Sequence, residues 1–280
     1  MTETLSSLLA TRFDDFENAW SPAEEPNAWE TLAGHGSCRA FRSHPIDPGL
    51  LDTLAALCLC APTKSDLQQR DIILIDDPVL RTDLNRLLCD GPLGQAWIAE
   101  APHLVVFCGN NKRQRMVHTW RAKPFVNDHL DAFFNAAVDA AIALGAFVHA
   151  AEAAGLGCCP ISAIRNDAEA VAALLDLPDH VFPVAGLGVG WPASAPPISP
   201  RLPLSATVHR NRYSDTDLEQ AVTRYDRHRL AVQPYSKQRY TERFGTSGHY
   251  TWSEDKARQY AEPERETFGT FIRNQGFNLD

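Results

Sequence analysis

The sequence predicts an α+β fold in which a few strands are sandwiched by helices. Three observations predict it. Short β-branched runs at residues 71–76, 103–109 and 181–190 read as strands. Between them lie longer segments with apolar residues at helical spacing. One of these, residues 126–154, is rich in Ala and Leu and apolar on nearly every side, which places it at the centre of the fold.

Taken in order, residues 1–33 are polar and carry Pro22 and Pro26 in an acidic stretch, so they read as a surface extension, helical in its first part. Arg12, Asp14, Asp15 and Glu17 stand where a secretory leader would have an apolar core. Residues 50–60 form a helix that Pro62 stops. Residues 71–76 form a strand, 78–89 a helix, and 103–109 a second strand ended by Gly109. The long helix closes on Gly155, a residue that tolerates positive φ at the C′ position. Asp128, Asp131, Asp139 and Glu152 interrupt it, which argues against a bilayer span of about 20 apolar residues. A third strand lies near 158–162, and Asn166 or Asp167 caps a helix through Leu175. Residues 181–190 form the fourth strand. Pro192, Pro196, Pro197, Pro200 and Pro203 hold the following segment extended across the surface. The tail from 215 to 280 holds two helices separated by a loop at 244–250.

Composition narrows the function. The chain of 280 residues is 44% hydrophobic and 22% charged, enough for a sizeable core. A net charge of −9 argues against nucleic acid as a partner. Seven cysteines, an odd count in a chain that needs no staples, read as reduced thiols of a cytoplasmic protein. Cys58-Leu-Cys60 and Cys158-Cys159 lack zinc-site spacing, and the ten histidines show no HExxH, so no metal site is expected. Gly186-Leu-Gly-Val-Gly190 invites a dinucleotide-binding reading, but Trp191-Pro192 follows where that loop must open a helix. Ser37 lacks the second glycine of a nucleophile elbow, and there is no Walker loop.

Three separated segments carry the chemistry. Gly34-His-Gly-Ser-Cys-Arg-Ala-Phe41 offers backbone N–H groups, a hydroxyl and a guanidinium to a phosphate. Ala61-Pro-Thr-Lys-Ser-Asp-Leu-Gln68 is a polar loop between a helix and a strand, and Gly155-Leu-Gly-Cys-Cys-Pro-Ile-Ser-Ala-Ile-Arg165 is a strand entered through a Gly turn. Their combination and order resemble the nitroreductase superfamily, with its H/R-x-S-x-R, A-P-S-S and G-L-G segments. Leu174-Leu-Asp-Leu-Pro178, Pro200-Arg-Leu-Pro203, Val208-His-Arg-Asn-Arg-Tyr213, Tyr250-Thr-Trp-Ser253 and Arg273-Asn-Gln-Gly-Phe277 resemble its oxygen-insensitive NADPH nitroreductase and NADPH-flavin oxidoreductase subgroup. The resemblance runs from about Gly34 to the C-terminus and leaves residues 1–33 as an extension before a domain of 34–280 with a C-terminal helical excursion at about 215–280.

The resemblance implies a mostly antiparallel central sheet flanked by helices, in an intertwined homodimer with FMN at the subunit interface. It implies that His35, Gly36, Ser37, Cys38 and Arg39 hold the FMN phosphate and ribityl chain, and that Thr63, Lys64 and Ser65 reach the flavin from the other subunit. Gln95 meets the flavin, backbone N–H groups of Pro160, Ile161, Ser162 and Ala163 face the ring where residues have them, and Arg201 is a second phosphate-binding arginine. The implied reaction passes hydride from NADPH or NADH through flavin N5 to a small acceptor (nitroaromatic, quinone or flavin) in ping-pong order. The cofactor carries the chemistry, so no classical catalytic residue is expected.

For the nicotinamide donor, Arg224, Arg227, Arg229, Lys237, Arg239 and Arg243 outnumber Asp226 and Glu242, a basic stretch suited to the 2′-phosphate of NADPH or simply a solvated helix face. Arg243 matches the family's NADPH-binding arginine. A second basic position falls on Gly248, for which Arg239 or His249 can substitute. The chain departs from the family in Gly36 for Arg, Ser199 for Lys, Lys64 for a small Ser, and Ser162-Ala163 for a Gly pair. These changes keep open a specialised FMN enzyme (ene-reductase, dehydrogenase or flavin-modifying) and a redox-inactive FMN-binding protein.

Overall fold

A computed structural model of the chain describes residues 10, 11, 13, 27–90 and 94–280. The helix expected in the first part of the extension falls almost wholly outside them. The described residues form α1 (Asn27–Ala33), α2 (Pro48–Leu59), β1 (Arg70–Leu74), α3 (Pro78–Cys89), α4 (Trp97–Glu100), β2 (His103–Asn110), α5 (Lys112–Trp120) and α6 (Leu130–Ala153). There follow β3 (Gly157–Ile161), α7 (Ala168–Leu174), β4 (Val181–Gly190), α8 (Leu204–Thr207), α9 (Leu218–Val232), α10 (Thr241–Phe244), α11 (Trp252–Tyr260) and α12 (Phe268–Asn274). The chain divides into two compact units, Ser37–Pro196 with Arg265–Asp280, and Met1–Gly36 with Pro197–Glu264.

The first unit holds a sheet of order β1-β2-β4-β3, antiparallel throughout. Central β2 is buried on both faces, which is why its sequence is continuously apolar rather than alternating. Leu104, Val106 and Cys108 pack with Leu84, Leu88 and Ile98 on one side. Val105 and Phe107 pack with Leu54, Ala143 and Phe147 on the other. The β2–β4 register slips between Phe107 and Cys108, skipping Val184 next to Pro183. Proline brings no N–H to a ladder, and the bulge accommodates it. The carbonyl of Val184 instead accepts the Arg165 guanidinium.

The long helix begins at Leu130, four residues later than its periodicity predicts, because His129 is extended and its ring Nδ1 accepts the Asp131 N–H at 3.3 Å. It ends as expected at Gly155, with φ +82°. By length and composition α6 is apolar enough to cross a membrane. Here its inward face, Ala136, Ala140, Ala143 and Phe147, lies in the core. Leu130, Phe134, Val138 and Ile142 form an exposed apolar ridge along the opposite side, one residue per turn.

Helix α3 and strand β4 match their predicted bounds, and Asp167 rather than Asn166 caps α7, accepting the Ala170 N–H at 3.0 Å. Strand β3 ends at Ile161, and Ser162–Arg165 is a 3₁₀ turn. The tail departs from the two predicted helices. It contains α9, α10, α11 and α12, broken where Tyr240, Gly245 and Arg265 take positive φ. The second unit relies on buried polar groups: Asp226 accepts the Thr251 hydroxyl at 3.1 Å and the Ser253 N–H at 2.9 Å, while Arg258 donates to the Arg239 and Gly245 carbonyls.

His103 gives this fold a pH dependence. Its Nε2 accepts the buried Ile46 N–H at 3.0 Å, which requires an unprotonated nitrogen, and burial pushes its pKa below the ordinary histidine range. Burial and the nearby Arg115 push His180 the same way. The unfolded chain therefore binds these protons more readily than the folded one, and stability falls as pH drops through about 6.5. The urea midpoint should decrease between about pH 7 and 5.5, and His103→Gln, which cannot titrate, should flatten that slope. A midpoint constant over this range refutes the assignment.

Candidate functional site

In the first unit, the chain after Gly36 runs extended beside the sheet. The Cys38 N–H donates to the Cys158 carbonyl at 2.9 Å, the Arg42 N–H to Trp191 at 2.8 Å, and Phe41 bridges Pro192. Extended backbone alternates its side chains. Cys38 therefore turns inward, and a Cβ on Gly157 would meet its Sγ at 2.6 Å, so Gly157 is the space Cys38 fills. The side chain of Cys38 is a core group, and only its backbone remains for a ligand. Ser37 and Arg39 turn the other way. Ser37 lies against Cys159, and Arg39 is exposed with its guanidinium 5.7 Å from the Trp97 ring centroid.

Trp97 joins two predicted residues. Its indole N–H donates to Gln95 Oε1 at 2.9 Å, so Arg39 and Gln95 meet through one side chain that sequence reasoning passed over. The bond fixes the carboxamide and leaves its NH2 group as the outward donor. Among the described residues Arg39 pairs with no carboxylate. Burial pushes the thiols of Cys38, Cys158 and Cys159 up, so they stay protonated and are not nucleophiles.

Pro160 and Ser162 are exposed, whereas Ile161 and Ala163 are buried with Ile164 and Val171. The methyl of Ala163 therefore occupies core space. Of the two side chains that replace a Gly pair, only Ser162 faces outward.

The polar loop of Thr63, Lys64 and Ser65 is held by two buried charges absent from the sequence prediction. Arg70 donates to the carbonyls of Leu59, Ala61 and Pro62 at 2.7, 2.8 and 3.1 Å, a cation at the negative end of α2. Asp139, fully buried on α6, accepts the Lys64 and Gln69 N–H groups, each at 3.0 Å. Between these anchors Ser65, Asp66 and Gln68 have φ of 50°, 57° and 52°. Non-glycine residues in that region cost about 1–3 kcal/mol each. The Lys64 and Ser65 side chains are exposed, and Lys64 lines a cleft of about 240 Å³ with Gln69, Asn111, His118 and Asn135.

In the second unit, His35 and Gly36 follow the turn after α1, where the His35 N–H donates to Leu32 at 3.4 Å. Arg201 is exposed, with Nη1 on the carbonyls of Ser199 (3.2 Å) and Pro200 (3.5 Å), and no carboxylate pairs with it among the described residues. Arg239 is engaged, with Nε at 3.2 Å from Asp255. Burial would raise the Asp255 carboxyl, but hydrogen bonds from Lys256 and Tyr250 outweigh it and hold the group below the usual range. Arg243 pairs with Glu262 and stacks on Phe244. A side chain at Gly248 would meet nothing within 4 Å. Among the described residues no cluster of three His, Cys, Asp or Glu is placed to hold a metal.

Comparison with known proteins covers both units. Residues 32–191 match the family model described as Nitroreductase family, and residues 199–280 match its C-terminal domain. The chain is 30% identical over 256 residues to FMN reductase (NADPH) of Bacillus subtilis, covering 90% of this chain and 98% of that protein. It is 33% identical over 248 residues to the oxygen-insensitive NADPH nitroreductase of Salmonella typhimurium, covering 89% and 97%. The solved structure of NfrA2 from B. megaterium superposes with a TM-score of 0.81 at 31% identity, covering 91% of this chain and all of that one.

Removal of the Asp139 carboxylate leaves two N–H groups unpartnered, that of Gln69 buried and that of Lys64 partly so. Asp139→Ala should lose about 2–4 kcal/mol of stability, one desolvation penalty for each donor. Hydrogen exchange at the Lys64 and Gln69 amides should accelerate. Unchanged protection at both would show that something else holds the loop.

Proposed function

The chain belongs to the nitroreductase family, and from that premise we propose that it is an NAD(P)H-dependent FMN oxidoreductase that reduces a small acceptor in ping-pong order. The observation that carries this reading is the cluster of Ser37, Arg39 and Gln95, set on a chain that matches FMN reductases along nearly its whole length. An arginine without an acid partner, in a chain of net charge −9, fits the phosphate of FMN. Arg201 offers a second such group. Bound FMN supplies a centre that takes hydride from the nicotinamide and passes it on.

The residues bind and orient. Arg39 and the Ser37 hydroxyl serve the phosphate and ribityl end, with His35, Gly36 and the Cys38 backbone beside them in sequence. The Gln95 amino group, fixed by Trp97, serves the ring, as do the backbone N–H groups of Ile161, Ser162 and Ala163. Lys64 is held through its N–H on Asp139, and the exposed side chains of Lys64 and Ser65, with Thr63 beside them, suit a role toward a second subunit's flavin. We read residues 34–280 as one working FMN domain of a cytoplasmic protein, with Arg243 and Arg239 toward NADPH. For Arg243 this requires exchange of Glu262 for the 2′-phosphate.

A homodimer is part of this reading. The ridge of Leu130, Phe134, Val138 and Ile142 leaves large apolar side chains in water, with Phe134 58% exposed. A second copy of α6 buries them. Phe134→Asp should give a monomer by sedimentation and weaken FMN binding with it. A stable dimer that keeps its FMN affinity refutes this placement of the interface.

Anaerobic mixing tests the reaction. The flavin band should bleach with NADPH or NADH and recover on addition of a quinone or nitroaromatic. A colourless protein that FMN does not protect against heat overturns FMN binding, and an unbleached band with both donors overturns the oxidoreductase.

A further inference from the structure

In the second unit, we infer that Arg229 joins Arg201 as a second cation for a phosphomonoester, that of FMN. The inference rests on the reading that Arg201 faces the flavin phosphate. The Tyr225 hydroxyl donates to the Pro200 carbonyl at 3.1 Å, and Arg201 Nη1 reaches the same carbonyl at 3.5 Å. Arg229, one turn beyond Tyr225 on α9, stands against that hydroxyl and rests on the Tyr235 ring, 5.1 Å from its centroid. Arg201 thus reaches the Pro200 carbonyl directly, and Arg229 is linked to it through the Tyr225 hydroxyl.

Neither of them has a carboxylate partner among the described residues. The adjacent acid, Asp226, accepts from Thr251 and Ser253 instead. Arg229 Nη1 is buried with no hydrogen-bond partner. Like charges held together and a buried donor left open are each unfavourable in the free protein. One phosphate dianion relieves both.

The test titrates apoprotein with FMN and with riboflavin, which lacks the phosphate. Arg229→Gln should weaken FMN roughly ten- to hundredfold, the loss of one charge-assisted hydrogen bond, and leave riboflavin unchanged. Arg229→Lys should recover part of the loss. Equal weakening of both ligands makes Arg229 a structural residue and overturns the inference. If Arg201→Ala weakens FMN and Arg229→Gln does not, the inference falls and the reading of Arg201 stands. If neither variant matters, both fall. A loss confined to NADPH over NADH, measured on flavin-loaded Arg229→Gln, overturns the FMN assignment in favour of the dinucleotide's 2′-phosphate.

Discussion

A carboxylate with no exposed surface sets the geometry of the polar loop at residues 61–68. Asp139 sits in the middle of the long apolar helix α6, where an unpaired charge would be costly. It is tolerated because two backbone N–H groups, from Lys64 and Gln69, converge on it. That pairing ties α6, the organiser of one sheet face, to a loop with three left-handed residues that would not hold this shape alone. Arg70 completes the clamp by collecting the carbonyls that α2 leaves open at its end. The loop is held by buried charge and presents its side chains to solvent.

The described arginines differ in what they pair with. Arg239 and Arg243 are matched by Asp255 and Glu262, and Arg70 donates from its two Nη atoms to carbonyls. Arg39, Arg201 and Arg229 have no acid partner among the described residues, in a chain where acids outnumber bases. Arg42 and Arg81 also lack one among these residues and donate to the carbonyls of Pro192 and Ala101.

The strands and the long helix were legible because each is a local pattern. Strand β4 and helix α3 are marked by composition at both ends. The start of α6 was not legible, since the periodic pattern continues into residues 126–129 and only the histidine cap decides. The tail was read as two helices because positive-φ breaks at Tyr240 and Arg265 carry no glycine signal. At the site, Ser37, Arg39 and Gln95 came from motifs. Trp97, Asp139 and Arg229 did not, because each acts through a partner remote in sequence or one turn away on a helix. A carboxylate at the middle of an apolar helix was the visible trace of Asp139, and with its neighbours it was read only as an argument against a membrane span.

The clamp on the polar loop acts on backbone atoms. Asp139 holds the Lys64 amide whatever side chain that residue carries. Position 64 is thereby uncoupled from the folding of the loop. A small hydroxyl or a long cation can stand there without refolding the loop, so the chemistry this exposed position presents is free to change while the scaffold stays the same.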